Sequence, residues 1–302
     1  MVNLRTSISS LKLENPTVLA SGIMDEDAGS MFRAFNSGAG AVVTKSIGVN
    51  PRPGYPNPTF VELEHGILNA MGLPNPGIKD FKEEIIKLKK SNIPVIGSIF
   101  GSDVKEFVNL AEKIQEYGSD AIELNMSCPH AKGYGLEIGT DSKMLYEITS
   151  KVKASVDIPV FVKISSNVTD IVKIAKAAED GNADGIVAIN SVKAIKIDLE
   201  LHMPVLANKK GGYSGKAIKP IGIRSVYDIA SNIKIPIIGS GGVTTGEDAL
   251  EYIMAGATAV QIGSGVYYRG IDIFSKVCNE ISIWMKNHGY SKLEDLIGVA
   301  IQ

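Results

Sequence analysis

The stretch DIPVFVKIS, Asp157–Ser165, decides how the chain is read. A proline opens it and β-branched and aromatic residues follow, the pattern of a strand entrance where a missing N–H is tolerated. It stays apolar up to Lys163 with no polar alternation, which suggests a strand buried on both faces and so a parallel sheet. The same opening recurs in NIPVIGSIF (Asn92–Phe100) and KIPIIGSGG (Lys234–Gly242). Four other runs share a second form, in which a glycine ending a helix turns the chain into a strand. They are GAGAVVTKS (Gly38–Ser46), GSDAIELN (Gly118–Asn125), GNADGIVAIN (Gly181–Asn190) and GATAVQIGS (Gly256–Ser264). PTVLASG (Pro16–Gly22) makes an eighth.

From the second run onward the two forms alternate, and amphipathic segments such as DVKEFVNLAEKIQEYG separate them. Eight strands with helical crossovers predict an α/β fold, a (β/α)8 TIM barrel, forming one domain over residues 1–302. The opening LRTSISSLKLENP alternates and predicts an N-terminal hairpin across the bottom of the barrel. The connections after strands two and six are too long for simple crossovers, carry ordered turn signals, and are expected to add strands.

Bulk properties narrow the function. The 302 residues carry a net charge of −2, with 44% hydrophobic and 21% charged residues. That balance gives no electrostatic reason to expect nucleic acid or an anionic membrane. Cys128 and Cys278 are the two cysteines, too few for a four-cysteine zinc or iron–sulfur site and in keeping with a reducing cytoplasm. There is no signal-peptide layout and no apolar run long enough to span a bilayer. No metal site is expected.

In such barrels chemistry sits at the C-terminal ends of the strands. Here those ends carry Ser21-Gly22, Lys45-Ser46, Ser98, Asn125 with Cys128, Lys163, Asn190-Ser191, Gly241-Gly242 and Gly263-Ser264. One polar strand end means little, but the set forms a constellation. GSGGVTTGEDAL and IGSGVYYRG place glycine turns in loops seven and eight, where backbone N–H groups and a helix N-terminus would receive a phosphate. Lys45 and Lys163 end apolar strands; each alone would read as a lysine reaching the rim, while together they suit a ligand that develops negative charge, such as a reduced flavin. Asn69, Asn125 and Asn190 offer donors and acceptors for a heterocycle with imide edges. Cys278 falls within a helical pattern and reads as a packed thiol. Cys128, followed by Pro129 and a glycine-rich loop, suits a general base or nucleophile.

Taken together these residues resemble the class 1 dihydroorotate dehydrogenases. The shared pieces are LASG, TKS, LNAMGLPNPG, ELNMSCP, VKIS followed by NVTD, INS, GGYSGKAIKPIGIR, IIGSGGV and QIGSG, in order along nearly the whole chain. The resemblance implies an FMN-dependent barrel that oxidises dihydroorotate to orotate in pyrimidine biosynthesis. It implies that Cys128 removes the C5 proton while hydride leaves C6 for flavin N5. Lys45, Asn69, Ala70, Met71, Gly72, Leu73, Asn125, His130, Asn190 and Ser191 would contact substrate. Ser21, Lys45, Ser46, Ser98, Asn125, Lys163, Ile189, Gly215, Gly241, Gly242, Gly263 and Ser264 would contact FMN, and Ala131–Gly139 would form a lid. KGYGLEIG (Lys132–Gly139) is most similar to the two-subunit branch, which implies an oligomer with a partner carrying FAD and an iron–sulfur cluster.

Two residues depart from the pattern. His130 and Ser98 stand where these enzymes commonly have asparagine, and SCPH and GSIF are similar to dihydropyrimidine dehydrogenases acting on uracil and thymine. Two alternatives to dihydroorotate oxidation therefore stay open: a dihydropyrimidine-type oxidoreductase, and a flavin-binding barrel without catalysis.

Overall fold

A computed structural model of the chain describes residues 2–126 and 136–301. Eight parallel strands close into a barrel: Thr17–Leu19, Ala41–Val43, Val95–Ile99, Ala121–Asn125, Val160–Ile164, Gly185–Ala188, Ile237–Ser240 and Ala257–Ile262. They are the eight expected runs, in order. The eighth pairs with the first, Gln261 beside Val18, and that closure leaves no free edge. Helices return the chain between strands; Val104–Glu116 starts at Asp103, whose carboxylate accepts the Glu106 N–H, and buries Phe107, Leu110, Ala111 and Ile114.

The glycine-form entrances split. Gly38, Gly118 and Gly256 take left-handed φ of +105°, +96° and +112°. Gly181 does not (φ −77°); Asn182 turns the chain there instead, at φ +63°. Asparagine is the side chain that best tolerates this conformation, so an Asn after the glycine can take over its task.

Side chains alternate along each strand, so the barrel interior is filled in layers. The lowest layer contains Val18, Val43, Ile96, Ala121, Phe161, Val187, Ile238 and Ala259, one from each strand. The expected N-terminal hairpin, Thr6–Ile8 paired with Leu11–Leu13, packs Ile8, Leu11 and Leu13 against that layer and seals the bottom. Two residues further along, the same inward parity brings Lys45, Ser98, Glu123, Lys163, Ser240 and Gln261, and Ala20 and Ile189 join them on the wall just past their strand ends. The interior thus changes from apolar to polar within one layer.

The two long connections form one structure. Phe60–Leu63 and Gly66–Asn69 from the loop after strand two join Val192–Ala194 and Gly211–Ser214 from the loop after strand six in a four-stranded sheet. Asn69 pairs with Gly212, and Leu68, Ala70 and Leu206 form a small core beneath. A second hairpin, Ile197–Asp198 with Met203–Pro204, projects from the same region. Among the described residues no helix is long and apolar enough to cross a membrane.

Candidate active site

A cavity of about 480 Å3 opens at the C-terminal ends of the barrel strands, between the polar layer below and the four-stranded sheet at one side. Its volume is that of a small-molecule site. From the layer below come Lys45, Lys163, Ile189 and Ser240; from the side sheet and its turn come Phe60, Asn69, Met71, Gly72, Leu73 and Gly215. Ser21, Ser46, Asn125, Asn190, Ser191, Gly241, Gly242, Gly263 and Ser264 complete the wall.

Two hydrogen-bonded systems support this wall. Asn125 Nδ2 donates to Ser46 Oγ (2.9 Å), which lies 2.8 Å from Ser98 Oγ and 3.3 Å from Ser21 Oγ. The Ser98 N–H in turn donates to Thr44 Oγ1 at 2.9 Å, so strands two, three and four are tied together beneath the cavity. In the second system Lys163 Nζ donates to Gln261 Oε1 (2.8 Å), while Gln261 Nε2 donates to Glu123 Oε2 (2.5 Å). Glu123 Oε1 lies 3.4 Å from the same ammonium, completing a buried triad drawn from three strands.

The lysine at the opposite wall has different company. Lys45 Nζ lies 3.6 Å from Asp25 Oδ1 and 3.2 Å from Glu26 Oε1, the latter on an exposed side chain. Asp25 is buried, and its Oδ2 accepts the Gly22 N–H and the Ser21 hydroxyl. Burial pushes the Asp25 carboxyl above its ordinary value, with Lys45 and the Gly22 N–H only partly offsetting it.

The glycine turns sit where side chains do not fit. Gly242 has φ +74°, and a Cβ there would stand 2.7 Å from the Gly215 carbonyl oxygen. Tyr252 is fully buried beneath them and donates to the Gly241 carbonyl at 2.7 Å. One expectation is corrected. The helix start in loop seven does not present its N–H groups to the cavity: those of Thr244 and Thr245 donate to Asp248, and that of Gly246 donates to Glu280. Loop seven therefore offers the cavity Gly241 and Gly242, with Gly263 and Ser264 beside them from loop eight.

Comparison with known proteins agrees with this geometry. Residues 3–285 match the protein-family model described as dihydroorotate dehydrogenase. The chain is 54% identical over 301 residues to the catalytic subunit of dihydroorotate dehydrogenase B (NAD(+)) of Methanocaldococcus jannaschii, covering 98% of each chain. It is 52% identical over 302 residues to the protein of the same name from Thermoplasma acidophilum, covering both chains fully. A relative from Pyrococcus horikoshii with that name is 52% identical over 299 residues, covering 99% of this chain and 98% of that one.

The chain belongs to the dihydroorotate dehydrogenase family.

For this family member, most of the residues picked out from sequence converge on the one cavity. Two stand behind it. Ser98 is fully buried below Ser46, and Ala70 is buried in the core of the side sheet. Cys128, His130 and most of the expected lid lie outside the described residues. Cys278 is half-buried with its thiol 3.7 Å from Thr17 Oγ1, and burial pushes it up to about 11, as suits a packing residue. Among the described residues no cluster of three or more His, Cys, Asp or Glu could hold a metal ion.

Three residues that matter were missed: Asp25, Glu123 and Gln261. For the last two a signal was present. A carboxylate in AIELN and an amide in ATAVQI are anomalous inside strands buried on both faces, and each shares the inward parity of Lys163.

Proposed function

We propose that this chain oxidises dihydroorotate to orotate with FMN held in the barrel cavity, as the catalytic subunit of a larger enzyme. The observation that carries the reading is the convergence on one cavity of Lys45, Lys163, three asparagines and the glycine turns of loops seven and eight. Those residues fit a flavin mononucleotide. Gly242 lines the cavity in a turn that only glycine fits, since a Cβ there would strike the Gly215 carbonyl, and such glycine turns suit close approach of a phosphate. The buried Lys163 ammonium suits the electron-rich edge of the ring system.

Gly215, Gly241, Gly242, Gly263 and Ser264 would hold the phosphate end, and Ser21, Ser46, Asn125, Lys163 and Ile189 the ring, with Ser98 supporting Ser46 from behind. Asn69, Ala70, Met71, Gly72, Leu73, Asn190 and Ser191 would hold and shape the substrate pocket. The chemistry FMN supplies when bound is acceptance of a hydride from the substrate's C6. Cys128 takes the C5 proton; in sequence it follows Asn125, the last residue of strand four, by three positions. Lys45, anchored by Asp25, orients the substrate carboxylate, and His130 donates a hydrogen bond in place of asparagine. The relatives are named as catalytic subunits of an NAD(+)-linked enzyme, which supports a partner subunit that passes the electrons on. With only Cys128 and Cys278 in this chain, an iron–sulfur cluster would belong to that partner, together with FAD.

Anaerobic mixing of the purified yellow protein with dihydroorotate or dihydrouracil tests the proposal. Dihydroorotate should bleach the flavin and dihydrouracil should not. Bleaching by dihydrouracil alone would point to a dihydropyrimidine enzyme, and bleaching by neither to a binding barrel.

A further inference from the structure

The polar layer below the cavity contains a carboxylate for which the proposed reaction has no use. Glu123 is 1% exposed and Gln261 is 1% exposed, both enclosed within the barrel. A buried carboxylate is costly unless a charge and hydrogen bonds compensate it. Here the compensation is specific: Gln261 Nε2 donates to one oxygen at 2.5 Å, and the Lys163 ammonium faces the other at 3.4 Å. Gln261 Oε1 accepts from that same ammonium at 2.8 Å. Since an amide carries its donor and acceptor on opposite arms, Gln261 reads both neighbours and its orientation is set by them. Lys163 also lines the cavity. The triad thus connects a buried negative charge to a cation of the cavity floor.

We propose that Glu123, acting with Gln261, is a positioning residue that sets how much positive charge Lys163 presents to the bound ring system, and so sets how readily that ring system accepts electrons. This rests on the FMN reading above. At 3.4 Å the carboxylate offsets part of the ammonium's field in a low-dielectric interior, where such effects are large. The Gln261 oxygen holds the ammonium in place against the pull of Glu123. Removing the charge and removing the amide should therefore act in opposite directions.

The test is the midpoint potential of the FMN-loaded protein, measured by dye-equilibrated anaerobic reduction. Glu123→Gln frees the field of Lys163 and should raise the ratio of reduced to oxidised flavin about tenfold, a shift of about +30 mV for a two-electron couple. Gln261→Leu lets the ammonium swing toward Glu123 and should lower that ratio by a similar factor. Both shifts should vanish in a Lys163→Met background, measured with FMN in saturating excess over its weakened affinity for that variant. A potential that moves in the same direction in both variants, or that moves equally without Lys163, would mean that the triad is only structural. Should Glu123→Gln fail to fold, the sign of Gln261→Leu with and without Lys163 decides the matter. Wild-type protein that takes up no FMN would overturn the functional reading itself. Protein that binds FMN and is bleached by dihydroorotate, with variant potentials unchanged, would overturn only the role of Glu123.

Discussion

Lys45 Nζ and Asp25 Oδ1 face each other at 3.6 Å across the cavity wall, with the carboxylate 1% exposed and the ammonium reaching into the pocket. A buried acid beside a lysine would ordinarily titrate low, yet burial outweighs the lysine here and Asp25 is raised above its ordinary 3.8. The sign follows from linkage. Between 3.8 and its raised value the folded state binds more protons than the unfolded one, so this group lowers stability as pH rises through that window. Asp25→Asn removes the titration while its side-chain oxygen can still accept from the Gly22 N–H. The stability difference, variant minus wild type, should therefore grow with pH from about 3.8 upward, read from urea midpoints at stepped pH. A difference that shrinks with pH would show that pairing with Lys45 outweighs burial.

The bottom of the barrel gives a prediction independent of any ligand. Ile8 is fully buried against the lowest interior layer. Ile8→Ala should cost about 2–5 kcal/mol, lost transfer energy plus the cavity left behind, measured by denaturant unfolding. The active-site cavity lies at the opposite end, so ligand affinity of the folded fraction should be unchanged.

How far these features were readable in advance depends on the range over which each is determined. The strands were readable because proline and glycine punctuation acts locally, and their polar ends then point to a single mouth once barrel closure is assumed. The side sheet was only half readable: turn signals indicated strands, but the pairing of Asn69 with Gly212 joins two loops that meet only after the barrel has closed. The Gly181 entrance was misread because its neighbour Asn182 can also adopt the left-handed turn. Asp25 sits in SGIMDEDAG, where an acid looks like solvated loop; its burial arises from three-dimensional packing. Glu123 and Gln261 were visible anomalies whose meaning required the barrel, because the bond between them spans 138 residues.

Gly242 tests the glycine cradle. Alanine there meets both a left-handed φ of +74° and the Gly215 oxygen at 2.7 Å, a backbone atom that cannot step aside cheaply. Gly242→Ala should weaken FMN binding at least about tenfold, or about 1.4 kcal/mol, in a fluorescence titration of the apoprotein. The same strain should lower the stability of the apoprotein, so affinity is read at temperatures where the variant remains fully folded.

Lys163 should prove structural as well as functional. Lys163→Met leaves Glu123 buried without its cation, at a cost of about 3–5 kcal/mol. Combining it with Glu123→Gln removes the stranded charge, so the double variant should recover most of the stability while FMN binding stays impaired. Additive losses would show that Glu123 finds its compensation elsewhere.

The last prediction concerns the residue proposed as the base. Cys128→Ala leaves unchanged every residue proposed to hold FMN, so FMN should bind as in the wild type, seen as an unchanged visible spectrum. Flavin reduction by dihydroorotate in stopped flow should slow by about a hundred- to ten-thousand-fold, the contribution of a positioned general base. Cys128→Ser should fall between, because a hydroxyl can occupy the same place but gives up its proton far less readily than a thiol. The pH profile separates a base from a spacer: wild-type reduction should rise as the thiol ionises, and that limb should disappear in the alanine variant. Reduction kinetics equal to wild type in Cys128→Ala would transfer the proton-abstracting role to another residue.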